Sequence, residues 1–76
     1  MLLPDQIKEH LENETPLGKL MQPFVNKGIM IITLGKDNFE FYHQGSFVTV
    51  YEDETFEGHT VKPGKGIKNL LKQMGL

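Results

Sequence analysis

Ile29-Met30-Ile31-Ile32-Thr33-Leu34-Gly35-Lys36-Asp37-Asn38-Phe39-Glu40-Phe41-Tyr42-His43-Gln44-Gly45-Ser46-Phe47-Val48-Thr49-Val50-Tyr51 is the stretch whose reading decides the fold. Three runs of β-branched and aromatic residues are separated by two short turns, each containing glycine. Residues 29–34 are apolar on both faces, the pattern of a central strand covered on both sides. Phe39, Phe41 and His43 alternate with Glu40 and Tyr42 as a second strand, and residues 47–51 form a third. Connections this short force antiparallel pairing, so the three strands form a meander. A turn through Glu52, Asp53 and Glu54 leads to a weaker fourth strand over 55–61, in which Gly58 marks a bulge or an edge.

The period is different on either side of this block. Upstream, Leu3, Ile7 and Leu11 recur every four residues, and a first helix is expected to begin at Pro4 and fail by Asn13. Thr15-Pro16 is a second helix start, with the threonine as cap and the proline in the first turn. Leu17, Leu20, Met21, Phe24 and Val25 then keep helical spacing. Pro23 lies inside that pattern, so this helix is expected to end or kink near Gln22. Downstream, Pro63, Gly64 and Gly66 break the chain. Ile67, Leu70, Leu71 and Met74 follow at i, i+3, i+4, i+7, with Gly75 as the stop. The expected fold is a single α+β domain over residues 1–76. An antiparallel meander of three or four strands is flanked by N-terminal helices and a C-terminal helix.

At 76 residues and 8.7 kDa the chain has room for one small core. It has no cysteine, and also no alanine, arginine or tryptophan. The missing alanine and arginine hint at an AT-rich coding sequence, as in a low-GC bacterium or its phage. No basic, apolar leader opens the chain, and the longest apolar run is Ile29–Ile32. A cytoplasmic location is the expectation.

Charge is unevenly placed. Residues 1–60 hold four lysines against all ten carboxylates, a balance of −6, whereas residues 61–76 hold Lys62, Lys65, Lys68 and Lys72 and no acid. Each half suggests a partner. Glu52, Asp53, Glu54 and Glu57 are four carboxylates within six residues, and Asp37 and Glu40 lie around the first hairpin. In a meander, the turns before the second strand and after the third are at the same end of the sheet. The two acidic groups then form one negative surface, suited to a basic protein.

The lysines suggest the other partner. Helix, three antiparallel strands, helix, with Gly64-Lys65-Gly66-Ile67-Lys68 at the start of the last helix, resembles the double-stranded-RNA-binding domain. That resemblance implies contact between a basic helix start and backbone phosphates. The family's paired lysines are absent here, and the segment Thr15–Val25 has no counterpart in it. A net charge of −2 also opposes phosphate binding.

Other chemistries find little support. Ser46, the only serine, sits in a Gly-Ser turn without the elbow or oxyanion loop that a nucleophile needs. His10, His43 and His59 lie on separate elements, although Glu57 and His59 could share a strand face. The Lys62-Pro63-Gly64-Lys65-Gly66 run has neither the P-loop nor the dinucleotide spacing. Phe39, Phe41, Tyr42, Phe47 and Tyr51 alternate with Glu40 and Glu52 rather than with cations, so they are read as core rather than as a base-stacking platform.

No catalytic residue, metal or cofactor is therefore assigned. The expected function is a non-enzymatic protein-binding module. It would be a small acidic regulator or inhibitor, phage-encoded, docking on a basic host protein such as a nucleic-acid-binding protein. At the extreme its carboxylates would mimic DNA charge. The contact residues are Asp37, Glu40, Glu52, Asp53, Glu54 and Glu57. The alternative is binding of a nucleic-acid backbone through Lys62, Lys65, Lys68 and Lys72. The two-faced strand 29–34 also raises a homodimer, because three short helices cover only part of such a sheet.

Overall fold

The computed structural model describes residues 5–76. Helices α1 (Asp5–Glu12) and α2 (Pro16–Asn26) lead into strands β1 (Met30–Leu34), β2 (Asn38–His43), β3 (Ser46–Tyr51), β4 (Thr55–Gly58) and β5 (Gly64–Lys65), and helix α3 (Ile67–Met74) closes the chain. The strands form one antiparallel sheet in the order β1-β2-β3-β4-β5. The α+β class with N-terminal helices and a C-terminal helix is as expected. The expected helix start at Pro4 and the Leu3 end of the first stripe lie outside the described residues.

α2 begins as its sequence dictates. The Thr15 hydroxyl accepts the Gly18 N–H at 3.0 Å, with Pro16 in the first turn. α2 does not end near Gln22 but runs through Pro23 to Asn26. Proline removes only one helical bond, the one to the carbonyl of Lys19, which is exposed and can turn to water. Leu17, Leu20, Met21 and Phe24 are buried on both sides of the proline and hold the helix to the sheet.

One face of the sheet carries the core. Phe39, Phe41, Val48, Val50 and Phe56 are buried beneath Leu17, Leu20, Met21 and Phe24 of α2 and Leu70 of α3. Phe24 stacks on Phe41 with ring centroids 4.5 Å apart and lies 6.1 Å from Phe39. Ile7 and Leu11 of α1 join the same cluster.

Three strand assignments change. β1 is an edge strand, not a central one. Its register shifts between Ile31 and Thr33, leaving Ile32 unpaired in a bulge. That bulge lets Ile31 and Leu34, three residues apart, both pack on the core. Met30 and Ile32 are left exposed. β4 stops at Gly58, where a Cβ would come within 2.7 Å of the Phe47 carbonyl. The two residues Gly64 and Lys65, read above as part of a chain break, pair with Phe56 and Thr55 as β5.

Candidate functional site

All the described helices pack on one face of the sheet, and no other described element covers the opposite, open face. Its residues form rows across neighbouring strands. Met30, Tyr42 and Phe47 are in register as one row, and Thr33, Glu40, Thr49 and Glu57 as the next. Asn38 and Tyr51 form a third row, nearest the β1–β2 and β3–β4 turns. The face thus passes from apolar at the β2–β3 hairpin to acidic at the opposite end.

The apolar row was not legible as such. Tyr42 and Phe47, expected in the core with the other aromatics, are 42% and 44% exposed. Their rings tilt against each other at 4.9 Å. Only the inward set of the alternation, Phe39 and Phe41, is core. Met30 and Ile32 extend the patch onto β1.

At the acidic end the two turns are joined directly. The Glu52 N–H donates to the Asp37 carbonyl at 2.8 Å, so the carboxylates of both turns belong to one end of the sheet. Asp37, Tyr51, Glu52, Asp53 and Thr55 line a shallow depression there. Glu54 completes the turn at φ 72, a left-handed conformation that glycine adopts at lower cost. Its carbonyl accepts the Gly66 N–H at 3.0 Å, which ties the acidic turn to the start of α3.

Three of the acids are engaged locally. The Asp37 carboxylate accepts the Asn38 side-chain amide at 3.0 Å. The Asp53 carboxylate accepts the Thr55 hydroxyl at 2.6 Å and the Thr55 N–H at 3.0 Å. Those bonds, with a smaller contribution from Lys65, hold its carboxyl below the ordinary value. Asp53 is therefore part of the turn's architecture as well as of its charge. Glu57 accepts the Tyr51 hydroxyl at 3.0 Å. That bond and the Glu57 charge raise the Tyr51 phenol above its ordinary value, with Asp37 adding a weaker push. Asp37, Glu52, Asp53, Glu54 and Glu57 are exposed, and Glu40 is half-buried in the open face.

The lysines are arranged differently. Lys65, Lys68 and Lys72 are exposed at i, i+3, i+7, on β5 and α3. Lys62 is exposed at the far end, where Gln73 bonds its backbone N–H and carbonyl at 2.8 and 3.2 Å. The basic stripe is not remote from the acids: Lys65 pairs with Thr55 and acts on Asp53.

Catalytic candidates gain nothing from the geometry. Ser46 is 4% exposed, and its hydroxyl accepts from Thr60 at 2.7 Å. His10 is bonded through Nδ1 to the Thr15 hydroxyl at 2.7 Å. Among the described residues no three His, Asp or Glu side chains converge as metal ligands would. No described helix is long and apolar enough to cross a membrane.

In comparison with known proteins, no family model, no curated protein and no solved structure matches the chain.

Proposed function

We propose that this chain is a protein-binding module whose acidic sheet end docks on a basic partner. The observation that carries the reading is the bond from the Glu52 N–H to the Asp37 carbonyl. It draws the carboxylates of two separate turns into one end, next to Glu40 and Glu57 on the open face. A surface of this sign steers a cationic protein toward itself, and its on-rate falls as salt is raised. Regulation or inhibition of a basic nucleic-acid-binding protein, with carboxylates standing in for phosphates, is the specific form proposed.

The test is a calorimetric titration against a basic nucleoid-type protein. Wild type is compared with a variant in which Glu40, Glu52, Glu54 and Glu57 become Gln. Asp53 is left intact because Thr55 depends on it. The variant is expected to lose affinity and most of the salt dependence while keeping its melting temperature. Equal affinity of the two proteins would refute the reading.

A further inference from the structure

The open face holds a second surface, separate from the acidic end. Met30, Ile32, Tyr42 and Phe47 are 63%, 41%, 42% and 44% exposed and lie side by side on three adjacent strands. With side chains of roughly 200 Å² each, they leave about 400 Å² of contiguous apolar surface in water. That matches the largest apolar patch of an ordinary monomer, concentrated here on a 76-residue chain. None of the four is charged, and the patch is bordered by Thr49 and His59 as well as by Glu40 and Glu57.

We infer that this patch is the interface of a face-to-face homodimer, in which Tyr42 and Phe47 of one copy pack on those of the other. Edge pairing through β1 does not offer a regular alternative. In an antiparallel β1–β1 pair, residues opposite one another must share a face. The bulge at Ile32 sets the inward pair Ile31 and Leu34 and the outward pair Met30 and Thr33 to different registers, so no single pairing suits both. The face, not the edge, is left to be covered.

Charge selects between the ways of covering it. A two-fold axis along the strands would set the Glu40–Glu57 row of one copy on that of the other. An axis across the strands, through the Tyr42–Phe47 row, reverses the second sheet. Each acidic row is two residues from that axis, about 7 Å, so the two rows are separated by about 14 Å along the strands. With sheets about 10 Å apart, that exceeds the screening length of roughly 8 Å at physiological salt. Glu40 and Glu57 then lie toward the uncharged Gln44-Gly45 tip of the other copy. Only the second axis lets like surfaces meet without like charges meeting. The four residues alone bury about 800 Å² over the two copies. With their polar border they reach the lower range of specific interfaces, about 1,200 Å². The turns that hold Asp37, Glu52, Asp53 and Glu54 are carried to opposite poles and remain free for a basic partner, while Glu40 and Glu57 lie at the margin of the dimer interface.

The test is sedimentation equilibrium of the full chain from low to high micromolar concentration. The expected species is reversible and twice 8.7 kDa in mass. Phe47→Lys is expected to raise the dimer dissociation constant at least about tenfold, as removal of an aromatic interface anchor does. Its circular dichroism spectrum stays that of a folded chain because Phe47 is outside the core. Glu52→Gln with Glu54→Gln leaves dimerisation unchanged, which separates this interface from the acidic docking end. A single 8.7 kDa species at every concentration overturns the proposal. So does a dimer that is indifferent to Phe47→Lys. A dimer that strengthens strongly when Glu40 and Glu57 become Gln overturns the reversed arrangement, because it would place those rows together.

Discussion

Truncating Leu70 to alanine should remove much of this domain's stability. Leu70 is fully buried and is the one α3 side chain in the central cluster, while Ile67, Leu71 and Met74 are half-buried at its margin. The helix has eight residues, and so short a helix has little stability of its own. Leu70 is its deepest anchor, supported by the two bonds from Gln73 to Lys62, the Gly66 N–H bond to Glu54, and the half-buried Ile67, Leu71 and Met74. The substitution deletes three buried carbons and leaves a cavity in the core cluster, at a cost of about 3 kcal/mol. A domain of this size has roughly 4–11 kcal/mol in total. Each kcal/mol shifts its midpoint by about 4–8 °C, so the melting temperature should fall by about 12–24 °C. Thermal denaturation followed by circular dichroism reads this directly. Phe47→Ser, on the open face, serves as the control and should change the monomer's stability by less than about 1 kcal/mol. A Leu70→Ala melt within a few degrees of wild type would refute the docking of α3 on this core.

Further predictions follow from single contacts. Gly18→Ala should destabilise strongly, by about 2 kcal/mol or more in urea denaturation, because its Cβ would come within 2.2 Å of the His10 carbonyl where α1 meets α2. Asp53, whose folded value is lowered, stabilises the fold above its unfolded value, and that contribution is lost as pH falls through the folded one; Asp53→Asn should flatten this part of the acid-denaturation curve. Tyr51, whose folded value is raised, contributes stability at neutral pH that is lost as pH rises through the phenol range. In a Tyr42→Phe background, Glu57→Gln should lower the midpoint of tyrosinate absorbance. Glu54→Gly should weaken binding of a basic protein without lowering the melting temperature, since relief of its left-handed backbone, about 1 kcal/mol, offsets the entropy cost of glycine.

The sequence and the fold agree where local chemistry decides. The change of period at Ile29, the Thr15-Pro16 cap and the spacing of Ile67, Leu70, Leu71 and Met74 are local, and each element formed where that chemistry places it. Position within the sheet is not local. A run such as Met30–Leu34 looks the same whether its second face is covered by helices or left open, and only the other elements determine that its place is an edge. Its bulge follows from Ile31 and Leu34 both reaching the core, a tertiary demand that propensity does not express. Pro23 shows packing outweighing a local rule. The β5 pair was hidden because Gly64 and Lys65 carry no strand preference and are held by Thr55 and Phe56.

For the acidic end, strand parity alone placed the Asp37 and Glu52 turns together. The division of labour within it was not legible: Asp53 bonds Thr55 and Glu57 bonds Tyr51, which only side-chain geometry reveals. Alternation likewise cannot say which of two aromatic sets faces water, so Tyr42 and Phe47 were indistinguishable from Phe39 and Phe41 until the helices were placed.

The acidic end and the lysine stripe meet at the start of α3, so one paired measurement separates the two functions most directly. Affinity for a basic nucleoid-type protein and for duplex RNA and DNA is determined at two salt concentrations. Wild type is compared with Glu40, Glu52, Glu54 and Glu57→Gln and with Lys65, Lys68 and Lys72→Gln. The account predicts salt-sensitive binding of the basic protein that the glutamine-for-glutamate set abolishes and the lysine set preserves or strengthens, with no duplex binding by any form. Duplex binding by the wild type that disappears in the lysine set would contradict it and assign the function to α3.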